Sequence, residues 1–338
     1  MATLLSTVDR PLRYQAIPEP SPGTAGPVLI LGAPRSGTSW LGKIFDSHPS
    51  VIYRHEPDDV IGQTEFPTVC PVEDIPAYVA AAERFVAQLT TVRQIKSSGT
   101  WPIFAKPFQR FPAPLIRRAL VLILRACQQI APAARSLNRI PIPDMIRGDA
   151  ERLNVVIKSV SMLGDAALLA SALPQCRIIA VFRHPCGHIA SVKRGPGLYD
   201  YGPLVLATTR ARELGFTQEH YEALPKIERW VYGWAFLHAK LFEEASRFAN
   251  IRILRYEDLC SQPMERAQSL FAFAGLRWND ATARFIERST SGGDNPRYYS
   301  IFRDPIIAAT KWRSELSAIE IAKYMAIADR VLPGKFSV

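Results

Sequence analysis

The sequence predicts an α/β protein with a central parallel sheet flanked by helices. Short apolar runs recur along the chain, helical patterns separate them, and the first run empties into a Gly- and Ser-rich turn that opens a helix. Strands covered on both faces lose the alternation of polar and apolar residues, so near-continuous apolar runs are what a buried parallel sheet requires. The 338 residues divide into a proline-rich lead over 1–26 and a single domain over 27–338, with a mostly helical insertion at about 58–150.

The first strand is expected at Pro27-Val28-Leu29-Ile30-Leu31-Gly32, followed by a helix from about Thr38 to Ser47 and a short strand, Val51-Ile52-Tyr53. From Pro57 to Ala150 the pattern breaks into loops and helices punctuated by Pro67, Pro71, Pro76, Pro102, Pro107, Pro112 and Pro114. Within it, Leu115 to Arg125 mixes Leu, Ile and Val with Arg117, Arg118 and Arg125, and Arg135 and Arg139 follow. Such a helix either lies on an anionic membrane or packs an apolar stripe on the core and leaves a solvated basic edge. Strands resume at Asn154-Val155-Val156-Ile157 and Arg177 to Phe182, with a helix between them near Met162 to Ala172. A last strand, Ile251 to Arg255, leads toward a helix over Pro263 to Ala274, and a final helix is expected over about Ser317 to Val331.

Hydrophobic residues at 48% against charged residues at 21% exclude a disordered or fibrous chain. The net charge of +10 points to an anionic ligand, acidic substrate or negatively charged surface. With no basic run and no RNA- or DNA-binding signature, nucleic acid is not an expected partner. The five cysteines are scattered without metal-ligand spacing, which fits reduced thiols. Neither a signal-peptide layout nor an uncharged apolar stretch of about 18 residues is visible, so a cytoplasmic protein is expected, with peripheral membrane contact left open.

The segment richest in chemistry is Gly32-Ala33-Pro34-Arg35-Ser36-Gly37-Thr38-Ser39-Trp40-Leu41. Unpaired N–H groups at a helix start attract phosphate-like anions, and Gly32 and Gly37 let the backbone approach one closely. Arg35 adds a cation, and Ser36, Thr38 and Ser39 add hydroxyls. A plain capped turn is the simpler alternative. A nucleoside triphosphatase loop, and with it a small-molecule kinase, would need lysine where Thr38 stands. A second anion element follows the 177–182 run: Arg183 at the strand end and Ser191 on the next helix can converge on one phosphate.

This loop, with the Ser47-His48-Pro49 that ends its helix, resembles the 5′-phosphosulfate-binding loop of sulfotransferases that use 3′-phosphoadenosine 5′-phosphosulfate (PAPS). Arg183 and Ser191 match the family's 3′-phosphate pair, although His184 stands where aspartate is usual. Val156-Ile157-Lys158-Ser159, the Arg255-Tyr256-Glu257-Asp258-Leu259 segment and Lys311-Trp312-Arg313 with Leu316 extend the likeness, the last toward carbohydrate sulfotransferases. The resemblance implies a P-loop-like sulfotransferase fold and PAPS as donor. It assigns Arg35, Ser36, Gly37, Thr38, Ser39, Trp40, Arg183, Ser191, Lys311 and Arg313 to the nucleotide. The implied acceptor is a hydroxyl of a sugar or glycolipid, and a PAPS-binding protein without turnover is the non-catalytic alternative.

Sulfuryl transfer is expected by in-line displacement, with Arg35 and loop amides steadying the leaving oxygen. The sulfuryl group carries less charge than a phosphoryl, so no metal is expected. Arg54-His55-Glu56-Pro57 arrives at the sheet edge where such folds collect ligands. By resemblance Glu56 is the expected base, with His55 second, unless Glu56 is only paired to Arg54 or Arg35. Lys158 either touches the sulfuryl oxygens or caps a strand end.

Overall fold

The computed structural model of the protein describes residues 26–130, 139–148, 153–195, 201–292 and 301–335. The expected lead lies almost wholly outside them, as does Arg135. The five strands are β1 (Val28–Gly32), β2 (Val51–His55), β3 (Asn154–Ser159), β4 (Arg177–Phe182) and β5 (Ile251–Arg255). They form one sheet in the order β2-β3-β1-β4-β5, and every pairing is parallel. The α/β architecture follows from burial on both faces. Leu29 and Leu31 of β1 enter the core on one side, and Val28 and Ile30 enter the core on the other.

Helix α1 (Thr38–Asp46) follows β1, and the insertion after β2 carries α2 (Asp58–Ile61), α3 (Ile75–Thr91), α4 (Ile95–Ser98) and α5 (Ala113–Ile130). The stretch expected as one helix from Met162 splits into a short 3₁₀ turn, Met162–Asp165, and α6 (Ala166–Ala172). Next come α7 (Pro185–Lys193), α8 (Thr209–Glu213), α9 (Gln218–Ala223) and α10 (Lys226–Ala245). Strand β5 runs directly into α11 (Tyr256–Ser261), then α12 (Pro263–Phe273), α13 (Asp280–Thr290), α14 (Pro305–Thr310), α15 (Trp312–Glu315) and α16 (Ala318–Val331). Ser317 and Glu320 close a reciprocal capping box at the start of α16, which fixes where that helix begins.

One core packs α3, α6, α7, α10 and α16 against the sheet, and the other packs α1, α11, α12 and α13. Helix α10 is buried around much of its circumference, including Trp230, Val231, Trp234, Phe236 and Leu237, as befits a helix enclosed by other elements.

Buried ion pairs fasten the insertion to the sheet. The Arg54 guanidinium grips Asp144 through both terminal nitrogens, at 2.9 and 2.6 Å, and donates from Nε to the Thr90 carbonyl. Lys43 of α1 bonds Asp46 at 2.7 Å and the carbonyls of Thr100 and Pro102. All five cysteines are free thiols, and four of them are buried. Among the described residues no helix is long and apolar enough to cross a membrane.

Candidate active site

The strand order changes direction at β1, which lies between β3 and β4. Ligands of open parallel sheets collect at the strands' carboxyl ends beside such a switch point. Here the β1–α1 loop turns tightly because both the amide and hydroxyl of Ser36 donate to the Ala33 carbonyl, at 3.1 and 2.7 Å. Arg35 and Gly37 both occupy the left-handed region, at φ 72° and 94°. Gly37 is further constrained by Tyr256, whose ring would stand 2.2 Å from an added Cβ. Helix α1 begins without a side-chain cap, so its first amides are left to serve an anion.

The strand β4 end meets this loop directly. Arg35 Nε donates to Ser191 Oγ at 3.2 Å, and Arg183 Nη1 donates to the Arg35 carbonyl at 3.1 Å. Arg183 is buried, lies over the Tyr256 ring at 4.7 Å, and donates from Nη2 to the Ala308 carbonyl at 2.7 Å. Its Nε is a buried donor with no hydrogen-bond acceptor among the described residues. Gly187 keeps that nitrogen uncovered, since a Cβ there would approach it to 3.1 Å.

His184 fills the usual aspartate position with a different cap. Its Nδ1 accepts from the Cys186 N–H at 3.2 Å, starting α7, while its own N–H donates to Glu257 Oε1 at 3.0 Å. The ring stacks on Trp312 with centroids 4.5 Å apart. Burial, aided by the charges of Arg255, Arg313 and Arg183, pushes the imidazole down to about 4, so it stays neutral and able to accept. The turn is therefore intact without the carboxylate.

At the edge strand, Glu56 sits just past β2 with φ 45°. Its N–H donates to the Lys158 carbonyl at 2.7 Å, and its carboxylate pairs with Lys158 Nζ. The proposed alternative pairing with Arg54 does not form, because Arg54 is committed to Asp144. Lys158 is buried with a pKa lowered by desolvation, and Glu56 opposes that shift. His55 Nδ1 lies 3.0 Å from the Tyr53 hydroxyl, and its Nε2 lies 3.8 Å from Glu56 Oε1. Burial first, then Lys158, holds His55 well below the ordinary histidine value. Asp58, next to this group, accepts from Ser159 and Ser161, and its Oδ1 has no partner among the described residues.

A model of the sulfotransferase family matches residues 27–280, a span that holds all five strands. The chain belongs to the sulfotransferase family. Over 325 residues it is 24% identical to mouse carbohydrate sulfotransferase 5, covering 90% of this chain and 79% of that one. Human carbohydrate sulfotransferase 1 is 23% identical over 330 residues, with 86% and 74% covered. Among solved structures, the sulfotransferase domain of the Synechococcus PCC 7002 olefin synthase is 17% identical and covers 94% of this chain and 98% of its own, with a TM-score of 0.43.

In this sulfotransferase the residues expected at the nucleotide divide by where their side chains go. Arg35, Arg183 and Ser191 converge. The Ser36 hydroxyl and amide are both spent on the Ala33 carbonyl, and Trp40 donates from Nε1 to Ser289 at 3.0 Å and from its amide to the Gly37 carbonyl at 3.1 Å, so both residues are committed within the fold. Thr38 is buried, Ser39 and Lys311 are partly buried, and Arg313 is exposed over the Trp312 ring at 5.4 Å. Two residues whose part sequence reasoning missed are Tyr256, which supports both Gly37 and Arg183, and Trp312, which covers His184. Aromatic residues flanked by charged ones at the end of a strand or loop were the available signal.

Proposed function

We propose that this sulfotransferase moves a sulfuryl group from PAPS to a hydroxyl of a carbohydrate or glycolipid acceptor. The observation carrying this reading is the Arg35–Ser191–Arg183 junction, where two anion-binding elements meet around a buried Arg183 Nε that has no acceptor among the described residues. A donor with phosphates at both ends of its ribose calls for two such elements, one at the α1 start and one at the β4 end. The chain's similarity to carbohydrate sulfotransferases supports a sugar-type acceptor.

Arg183 and Ser191 would hold the 3′-phosphate. The amides of Gly37, Thr38 and Ser39, with the Thr38 and Ser39 hydroxyls, would hold the 5′-phosphosulfate, and Trp312 of the 311–313 segment lies against His184 in the turn after β4. The acceptor oxygen forms its bond to sulfur as the bond from sulfur to the 5′-phosphate oxygen breaks. Glu56 takes the hydroxyl proton, and adenosine 3′,5′-bisphosphate leaves with the electron pair. Arg35 steadies the charge that gathers on the departing oxygen. Lys158, held by Glu56, keeps a cation beside the transferring group.

The test is transfer of radioactive sulfur from PAPS to a panel of saccharides and glycolipids. Wild type labels an acceptor, and Glu56→Gln lowers kcat by roughly a hundredfold or more while leaving nucleotide affinity unchanged. Loss in His55→Gln with retention in Glu56→Gln would move the base to His55. Absence of label from every acceptor, with nucleotide still bound, would support a binding protein without turnover.

A further inference from the structure

Helix α5 turns an aliphatic stripe outward. Leu115 is 58% exposed, Ile123 59% and Ile130 84%, with Ile116 and Leu122 beside them. At 3.6 residues per turn these positions, with Ala119 and Ala126, fill one arc of about 120°. The opposite face holds Val121 and Leu124 against Ile95 and Ile142. Among the described residues, only the inner face of the helix is therefore packed against the fold. Phe111, 82% exposed, extends the apolar surface at the helix's leading end, and Trp101 is also exposed.

Charge singles out the same region. Residues 84–143 contain ten Lys and Arg and not one Asp or Glu, leaving 31 basic against 31 acidic residues in the rest of the chain. The whole positive surplus belongs to the segment that carries the stripe. Several of its cations are paired within the fold, among them Arg54's neighbour Arg93 with Asp144 and Lys96 with Asp59. Arg110, Arg118, Arg125 and Arg139 are exposed and form no ion pair among the described residues. Arg118 and Arg125 flank the stripe along one side, and Arg118 lies over the Trp101 ring at 5.4 Å.

We propose that α5 docks the protein on the surface of an anionic lipid bilayer. A broad aliphatic arc without polar atoms suits acyl chains, and a row of arginines along its edge suits acidic headgroups. Exposed Phe111, and Trp101 beside Arg118, are aromatic residues of the kind that sit at the headgroup level of a bilayer. The helix bears three arginines and no acidic residue, so it lies in the plane of the surface and does not cross it.

The experiment is flotation of the full chain with vesicles of phosphatidylcholine alone or with phosphatidylglycerol added. It is run on wild type, Leu122→Glu/Ile123→Glu and Arg118→Glu/Arg125→Glu, with thermal unfolding and sedimentation as companions. Wild type floats with anionic vesicles and about tenfold less with neutral ones. Each double variant, unchanged in Tm because its residues are exposed, loses at least about tenfold in binding. Failure of wild type to float with anionic vesicles, or equal flotation of the aliphatic variant, overturns the proposal. So does a concentration-dependent dimer abolished by Leu122→Glu/Ile123→Glu without vesicle binding, which would assign the stripe to a second copy of the chain.

Discussion

After β4, His184 caps α7 with a neutral imidazole, and its ring is held flat against Trp312. Its pKa falls from 6.5 to about 4 on folding. Between those values the unfolded chain binds a proton that the native protein refuses, so stability rises with pH through this window. The contribution, at most ~3 kcal/mol, is complete above pH 6.5 and is lost as pH falls toward 4. His55, His188 and His238 are also shifted down, mainly by burial, and add a slope of the same sign. His184→Asn keeps an acceptor for the Cys186 N–H without the titration. Thermal unfolding across pH 4–7 should therefore show a shallower decline in His184→Asn than in wild type, and parallel curves would remove His184 from the account. The Lys311-Trp312-Arg313 triplet is visible in the sequence, but not that its ring would cover His184, since residue 312 lies far along the chain.

Elements are held in register by close contacts that leave no room for change. Gly37 is confined twice, by φ 94° and by the Tyr256 ring. Gly37→Ala should destabilise by about 2–4 kcal/mol in denaturant titration, more than the left-handed backbone alone accounts for. Tyr256→Ala in the same background should recover part of the loss. The insertion depends on Arg54 and Asp144, and Asp144→Ala, by stranding a buried guanidinium, should cost about 3–5 kcal/mol. Strands were the most legible elements: β4 and β5 were bounded correctly, since apolar runs closed by charged residues have few other interpretations. The insertion was legible only as helical. Its proline spacing shows where helices stop but not that Arg54 would reach 90 residues ahead to Asp144.

For the whole molecule, the parallel sheet and the meeting of Arg35 with Arg183 and Ser191 follow from one topology. Strands β1 and β4 are neighbours although 149 residues of numbering separate Val28 from Arg177. The sequence contained both anion elements, yet not the order that puts them side by side. Pairings such as Glu56 with Lys158 are likewise set by strand adjacency, β2 against β3, and not by local pattern. A site built from fixed cations and helix-start amides should bind its anionic ligand more weakly as salt rises, with the slope reduced in Arg35→Ala. The most direct measurement is calorimetric titration of adenosine 3′,5′-bisphosphate and of ADP, without metal, into wild type and Arg183→Ala. The account predicts selective binding of the 3′-phosphorylated nucleotide by wild type and loss of that selectivity in the variant. Equal affinity for both nucleotides, or selectivity that survives Arg183→Ala, would contradict it.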